Sequence, residues 1–180
     1  FTLNECSERD ILFAKILSEA KAVIVNSSAV KKDIDAFFPY HACHIVNLPF
    51  SPVPILKWLN DSSPDDLIKY HLPLRCFLIS NQFWKHKSHI TAFEALALLK
   101  KKATFSDVHI VCTGKMEDYR FPQYLSELRE KIQILGLEDH IHLLGHIPKE
   151  DQINIMKRSV ALLQPTLFEG GPGGGAVYDA

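Results

Sequence analysis

Lys85, His86, Lys87 and His89 stand together just after the apolar run CFLIS (76–80), where a helix opens around Ser88. A helix N-terminus offers unpaired N–H groups and partial positive charge, which suit a phosphate, and a nearby lysine adds a full charge. The plainer alternative is a solvated charge run. A second segment, Thr113-Gly114-Lys115, ends another apolar run. Gly114 would let the backbone approach a ligand closely, although a simple strand-end turn explains the same residues. The GK pair lacks the GxxxxGK[ST] spacing, so a P-loop is excluded. A third segment, Gly145-His146-Ile147-Pro148, is a tight turn into a helix. The fourth is Glu169-Gly170-Gly171-Pro172-Gly173-Gly174-Gly175. So many glycines would destabilise any regular element. Between an apolar run and a helix, they suit backbone N–H groups wrapped around an anionic or polyhydroxyl ligand. Glu169 at the lip can accept hydrogen bonds from sugar hydroxyls.

Other chemistries fit less well. His140 and His142 alternate, so a strand would point both to one face, with His146 near. No carboxylate or thiol has the spacing to complete a zinc site with them. A Ser/His/Asp triad lacks both a GxSxG motif and a serine at a glycine-flanked elbow.

The elements that must position these segments alternate along the chain. Residues 8–20 have the spacing of an amphipathic helix. AVIVN (22–26) and HIVN (44–47) read as buried strands, with a helix over 29–38 between them, capped by Ser27 or Ser28 and stopped before Pro39. LPFSPVP (48–54) is proline-rich and reads as a linker. Short helical pieces follow around Pro64. Strands are then expected at 76–80, 108–114, 140–145 and 160–165, and helices at 88–102, 124–137 and 149–159, with a last helix after the glycines. Strand–helix alternation with fully apolar strands predicts an α/β fold, a Rossmann-like parallel sheet with helices on both faces. In such sheets ligands bind beyond the carboxyl ends of the strands, which is where the four segments lie.

The 180 residues are 47% apolar, enough for a sizeable core. A formal net charge of -1 gives no overall field to draw nucleic acid or anionic lipid. There is no apolar run of the ~18 residues a membrane span needs, and the charged first twenty residues do not resemble a signal peptide. Without Met at position 1, the chain is expected to be a piece of a longer protein. Cys6, Cys43, Cys76 and Cys112 have no CxxC spacing, and free thiols in a reducing compartment are expected.

The same segments, in this order, resemble the retaining glycosyltransferases of family 4, which have the two-domain GT-B fold. AKAVIVNSSAVKKDI (20–34) resembles the strand and helix that close their N-terminal domain, and HIVNLPFSP (44–52) the interdomain connection. From about Leu74 the chain resembles their C-terminal, nucleotide-sugar domain. LEDHIHLLGHIPKEDQINIMKRSVALLQPTLFEG is the most specific stretch. The implied organisation is the end of an acceptor domain at 1–48, a linker at 49–55 and a donor-binding domain at 56–180, incomplete at both ends.

The resemblance implies roles residue by residue. Lys87 takes the position of the lysine that binds the donor diphosphate, while the accompanying arginine falls on Gln82, an amide without charge. Gly114 and Lys115 would lie near the base, as would the backbone at His146 and Ile147. Glu169 matches the first glutamate of the family's pair, next to the transferred sugar, and is the catalytic expectation. Asp179 takes the place of the second, on the ribose. Gly170, Gly171, Gly173 and Gly174 would offer N–H groups to sugar and phosphates. The implied reaction moves a sugar, a hexose such as mannose, from a nucleoside diphosphate sugar to an acceptor hydroxyl with retention, in polysaccharide biosynthesis. No metal or other cofactor is called for. The implied partners are the nucleotide sugar and a carbohydrate or lipid-linked acceptor, with no nucleic acid. The location would be cytoplasmic, with room for peripheral membrane association through the rest of the N-terminal domain. The Gln82 and Asp179 departures keep a non-catalytic nucleotide-sugar-binding module as an alternative, and a GT-B-fold epimerase is another.

Overall fold

The computed structural model describes residues 3–49, 55–59, 68–169 and 175–179. Contacts divide the chain into two compact units, one up to residue 51 and one whose main body begins at residue 52. Most of the expected linker, residues 50–54, lies outside the described residues.

In the first unit, α1 (Leu3–Glu19) precedes β1 (Ala22–Val25), α2 (Ser28–Phe37) and β2 (His44–Asn47). Ser27 caps α2 by accepting a hydrogen bond from the Val30 N–H at 3.2 Å. The two strands pair in parallel, Ala22 beside His44 through Val25 beside Asn47. Leu17, Val25, Cys43 and Ile45 form their small core.

The second unit opens with the short helix α3 (Leu56–Leu59). It continues through β3 (Cys76–Ser80), α4 (His89–Leu99), β4 (His109–Thr113), α5 (Tyr124–Ile134), β5 (Ile141–Gly145), α6 (Lys149–Arg158) and α7 (Gly175–Asp179). The sheet order is β3-β4-β5, all parallel. Each strand is apolar at successive positions because both of its faces are covered. Ile79, Ile110 and Cys112 pack with Phe93, Leu96, Leu128 and Ile132 of α4 and α5. Their alternating neighbours Leu78 and Val111 pack with Ile155 and Met156 of α6. Burying a side chain of the size of Leu78 or Val111, both 0% exposed, stabilises the fold by about 2 kcal/mol.

The strand expected at 160–165 is not a full strand. It forms a single parallel bridge, Leu162 to Leu78, with Val160 N–H donating to Cys76, Leu78 N–H to Ala161 and Leu163 N–H to Leu78. Pro165 has no N–H to extend this edge pairing. The bridge still decides the topology. Three strands run in sequence order to one side, and the chain then returns to the other side of β3. The order therefore reverses between β3 and residues 160–163, the place where open α/β sheets hold ligands. The four cysteines are free, with Cys43, Cys76 and Cys112 buried. Among the described residues no helix is long and apolar enough to cross a membrane.

Candidate functional site

The reversal point brings the ends of β3 and of the 160–163 segment side by side, and the next residues of each carry polar groups. After β3 the chain turns through Asn81, Gln82 and Phe83 into a 3-10 turn, Lys85–Lys87, before α4 begins. This turn places Lys87 inward, 9% exposed, although an ammonium normally stays in water. Its Nζ donates to Glu169 Oε1 at 2.5 Å. Gln164 Nε2 donates to the same oxygen at 2.9 Å, and Asn81 Nδ2 donates to Gln164 Oε1 at 2.9 Å. A continuous chain, Asn81–Gln164–Glu169, thus orients the carboxylate that faces Lys87. The backbone is tied alongside: Leu167 N–H donates to His86 O at 2.9 Å and Thr166 Oγ1 to the same oxygen at 3.3 Å.

The loop after β4 closes the other side. Asp118 Oδ2 accepts the Lys85 N–H and Oδ1 accepts the Arg120 N–H, each at 3.0 Å. Burial works to raise the Asp118 carboxyl, but these two backbone donors and the Arg120 charge outweigh it and hold its pKa below the usual carboxylate value. The Arg120 guanidinium lies 5.0 Å from the Trp84 ring centre and 5.4 Å from that of Tyr119. The Trp84 ring is in turn 5.6 Å from the His86 ring. Burial and then the charges of Lys87 and Arg120 lower the His86 pKa, so this imidazole is neutral near pH 7.

The expected site residues fall into groups. Lys87 and Glu169 are joined directly. Gln82 is exposed at the same turn and uses its carbonyl to accept the Trp84 N–H at 2.8 Å. Gly114 has φ +141°, and a Cβ there would meet the Asn81 carbonyl oxygen at 2.1 Å. Its missing side chain makes room for backbone from the β3 end. Lys115 is exposed and paired with Glu117 at 2.9 Å. His146 is exposed at the end of β5, while the Ile147 side chain is buried in the core under α6. Asp179 pairs with Lys149, the first residue of α6. Gly170, Gly171, Gly173 and Gly174 lie outside the described residues.

Sequence reading missed Asn81, Gln164, Asp118 and Arg120. Gln164 did leave a signal, as a polar residue inside the apolar run VALLQP. Asp118 and Arg120 sit in a loop whose spacing carries none. His109 Nδ1 lies 3.0 Å from His142 Nε2, with the His140 ring 4.6 Å from that of His109. Among the described residues no group of three or more side chains is arranged to hold a metal ion.

Several known structures share this fold. A sucrose-phosphate synthase from Thermosynechococcus elongatus superposes with a TM-score of 0.74 at 18% identity, over 96% of this chain and 41% of that one. A glycosyltransferase from Rickettsia africae gives 0.70 at 21% identity, over 89% and 42%. Anabaena HepE in complex with UDP-glucose gives 0.70 at 19% identity, over 96% and 46%. The chain therefore spans less than half the length of these structures, whose likeness establishes the GT-B fold. No curated protein matches the sequence. The family model for glycosyl transferases group 1 matches residues 72–173, the stretch that carries β3, the 3-10 turn and Glu169. That match covers more than half of the chain, so the protein belongs to the glycosyl transferases group 1 family.

Proposed function

We propose that this domain holds a nucleoside diphosphate sugar for transfer of its sugar, a hexose, to an acceptor hydroxyl with retention of configuration. The observation that carries the reading is the Lys87–Glu169 pair at the point where the strand order reverses. Similarity to HepE, whose structure holds UDP-glucose, supports the same ligand class.

Breaking the sugar–phosphate bond places negative charge on the departing diphosphate. The Lys87 ammonium is already held inward at this point, so it stabilises that charge once the diphosphate displaces part of its pairing with Glu169. Gln82 adds an amide donor, and Gly170, Gly171, Gly173 and Gly174 add backbone donors. The sugar becomes positively charged as the bond lengthens, and Glu169, held by Gln164, favours that charge through its carboxylate. Gly114, Lys115, His146 and Ile147 at the ends of β4 and β5 border the base, and Asp179 accepts from the ribose. No metal or other cofactor has a part in this scheme. The acceptor is a carbohydrate or a lipid-linked sugar bound by the other domain, and the residues up to 48 are the end of that domain.

Donor turnover by the full-length protein tests the proposal. Lys87→Ala and Glu169→Ala are each expected to lower transfer at least about a hundredfold. Wild-type rates in both variants would remove the site assignment. Heat on titrating the donor, without any product, would mark the protein as a binder only.

A further inference from the structure

Four cations, Lys85 and Lys87 after β3 and Lys115 and Arg120 after β4, are not equally available to a ligand. Lys87 faces Glu169 at 2.5 Å, Lys115 faces Glu117 at 2.9 Å, and Lys85 faces Glu127 at 3.3 Å. A diphosphate carries at least two negative charges, and a lysine already neutralised by a carboxylate answers only part of that. Arg120 differs. Asp118 meets it through its backbone N–H at 3.0 Å and through Nε at a long 3.5 Å. Asp118 also accepts from the Lys85 backbone, so its two oxygens are largely engaged by the main chain. The two terminal nitrogens of the guanidinium make no hydrogen bond or ion pair among the described residues. The guanidinium lies 5.0 Å from the Trp84 ring centre and 5.4 Å from that of Tyr119, and its side chain is only 26% exposed. Contact with these rings restricts its rotamers, so less entropy is lost on binding.

We infer that Arg120 is the second cation of the diphosphate site, presenting its free nitrogens to the phosphate oxygens beside Lys87. This rests on the donor-binding reading above. It also explains how the mouth tolerates an uncharged Gln82. Trp84 connects the two cations: its ring contacts both the His86 ring and Arg120, and Lys87 is the residue next to His86. The neutrality of His86 fits a position among several charges. An arginine fork suits phosphate because two parallel N–H bonds match two oxygens.

The test uses the full-length protein and calorimetric titration with UDP, GDP and ADP, each compared with its nucleoside. For the diphosphate that binds best, Arg120→Met is expected to weaken binding about tenfold and flatten the salt dependence. The nucleoside should bind as before. Arg120→Lys keeps a point charge but loses the fork, so an intermediate loss of about threefold is expected. If Arg120→Met unfolds the loop, this variant decides the matter alone. Equal weakening of nucleoside and diphosphate would show that Arg120 only braces Trp84, and would overturn the inference. An unchanged diphosphate affinity in Arg120→Met, with a loss in Lys87→Met, overturns the inference and leaves the proposed function standing. Failure of the wild-type protein to bind any of the three diphosphates overturns both.

Discussion

Glu169 and Lys87 restrain one another at rest, and that has a consequence for binding. An incoming diphosphate competes with the Glu169 carboxylate for the ammonium, while Gln164 keeps hold of the carboxylate. Glu169→Gln removes the competing charge and keeps the shape. Donor diphosphate should therefore bind severalfold tighter, while turnover falls about a hundredfold because the positive sugar loses its carboxylate. Calorimetry with UDP alongside a transfer assay reads both quantities; a parallel fall in binding and turnover would contradict this account. Gly114 sets a different residue-scale limit. With φ at +141° and the Asn81 carbonyl 2.1 Å from any added Cβ, Gly114→Ala must push β4 and β3 apart at their ends. A stability loss of at least about 3 kcal/mol is expected from urea unfolding. A loss below about 1 kcal/mol would mean that the strand ends yield easily.

At the scale of elements, the segment at 68–70 is fastened to α6 by one carboxylate. Asp151, in the first turn of α6, accepts from Lys69 Nζ at 2.6 Å and from the Tyr70 hydroxyl at 2.5 Å. These two bonds, against the opposing effect of burial, hold the Asp151 pKa below its usual value. Asp151→Ala leaves the Tyr70 hydroxyl without its partner and should cost about 2 kcal/mol in urea unfolding. Lys69 is half exposed, so Lys69→Ala should cost under about 1 kcal/mol. The reverse ranking would assign the fastening to the ion pair. No such link is legible in the sequence, because 82 residues separate Lys69 from Asp151. The elements themselves were legible. CFLIS, HIVCT and HIVN are apolar and β-branched over four or five residues, and each became a parallel strand. The helices emerged from their periodicity, with ends shifted by a few residues. The reading failed where local pattern and partner availability part company. Residues 160–165 have a strand's composition, but they lie at an edge and run into Pro165, so they form one bridge. Lys87 and Glu169 each stand out in recognised segments, but their direct pairing is not legible there. The Asn81–Gln164 bond that orients Glu169 is tertiary and had no local signature.

For the molecule as a whole, the titrating groups predict an asymmetric pH profile of stability. Burial, followed by the Lys87 charge, lowers the pKa of His89 from 6.5 to about 4. Its ring is fully buried, stacked on Phe83 at 4.7 Å, and among the described residues neither ring nitrogen has a partner. Burial also lowers His86, His109 and His142 from the same starting value. A lowered histidine pKa means that the unfolded chain binds protons first as pH falls. Stability is therefore complete above pH 6.5 and declines as pH drops below it, with the His89 share continuing to fall until about pH 4. At about 1.4 kcal/mol per unit, that share is about 3 kcal/mol. Asp118 and Asp151 have lowered pKa values, so their contributions persist to the ordinary carboxyl range near 3.8 and are lost only below it. On the alkaline side, burial raises the Cys76 and Cys112 thiols above their usual 9.0, and Tyr124 from 10.0 to about 12, so the unfolded chain ionises first and stability declines above pH 9. Urea midpoints followed by tryptophan fluorescence report the second unit, which contains both Trp58 and Trp84. His89→Phe keeps a flat ring against Phe83 and cannot take up a proton. Crowding from the larger ring shifts the absolute stability equally at every pH, so the slope is the quantity to compare. Between pH 6.5 and 4 the variant should lose about 3 kcal/mol less than the wild type. Parallel curves for the two proteins would show that His89 is not the group that makes this fold acid-sensitive.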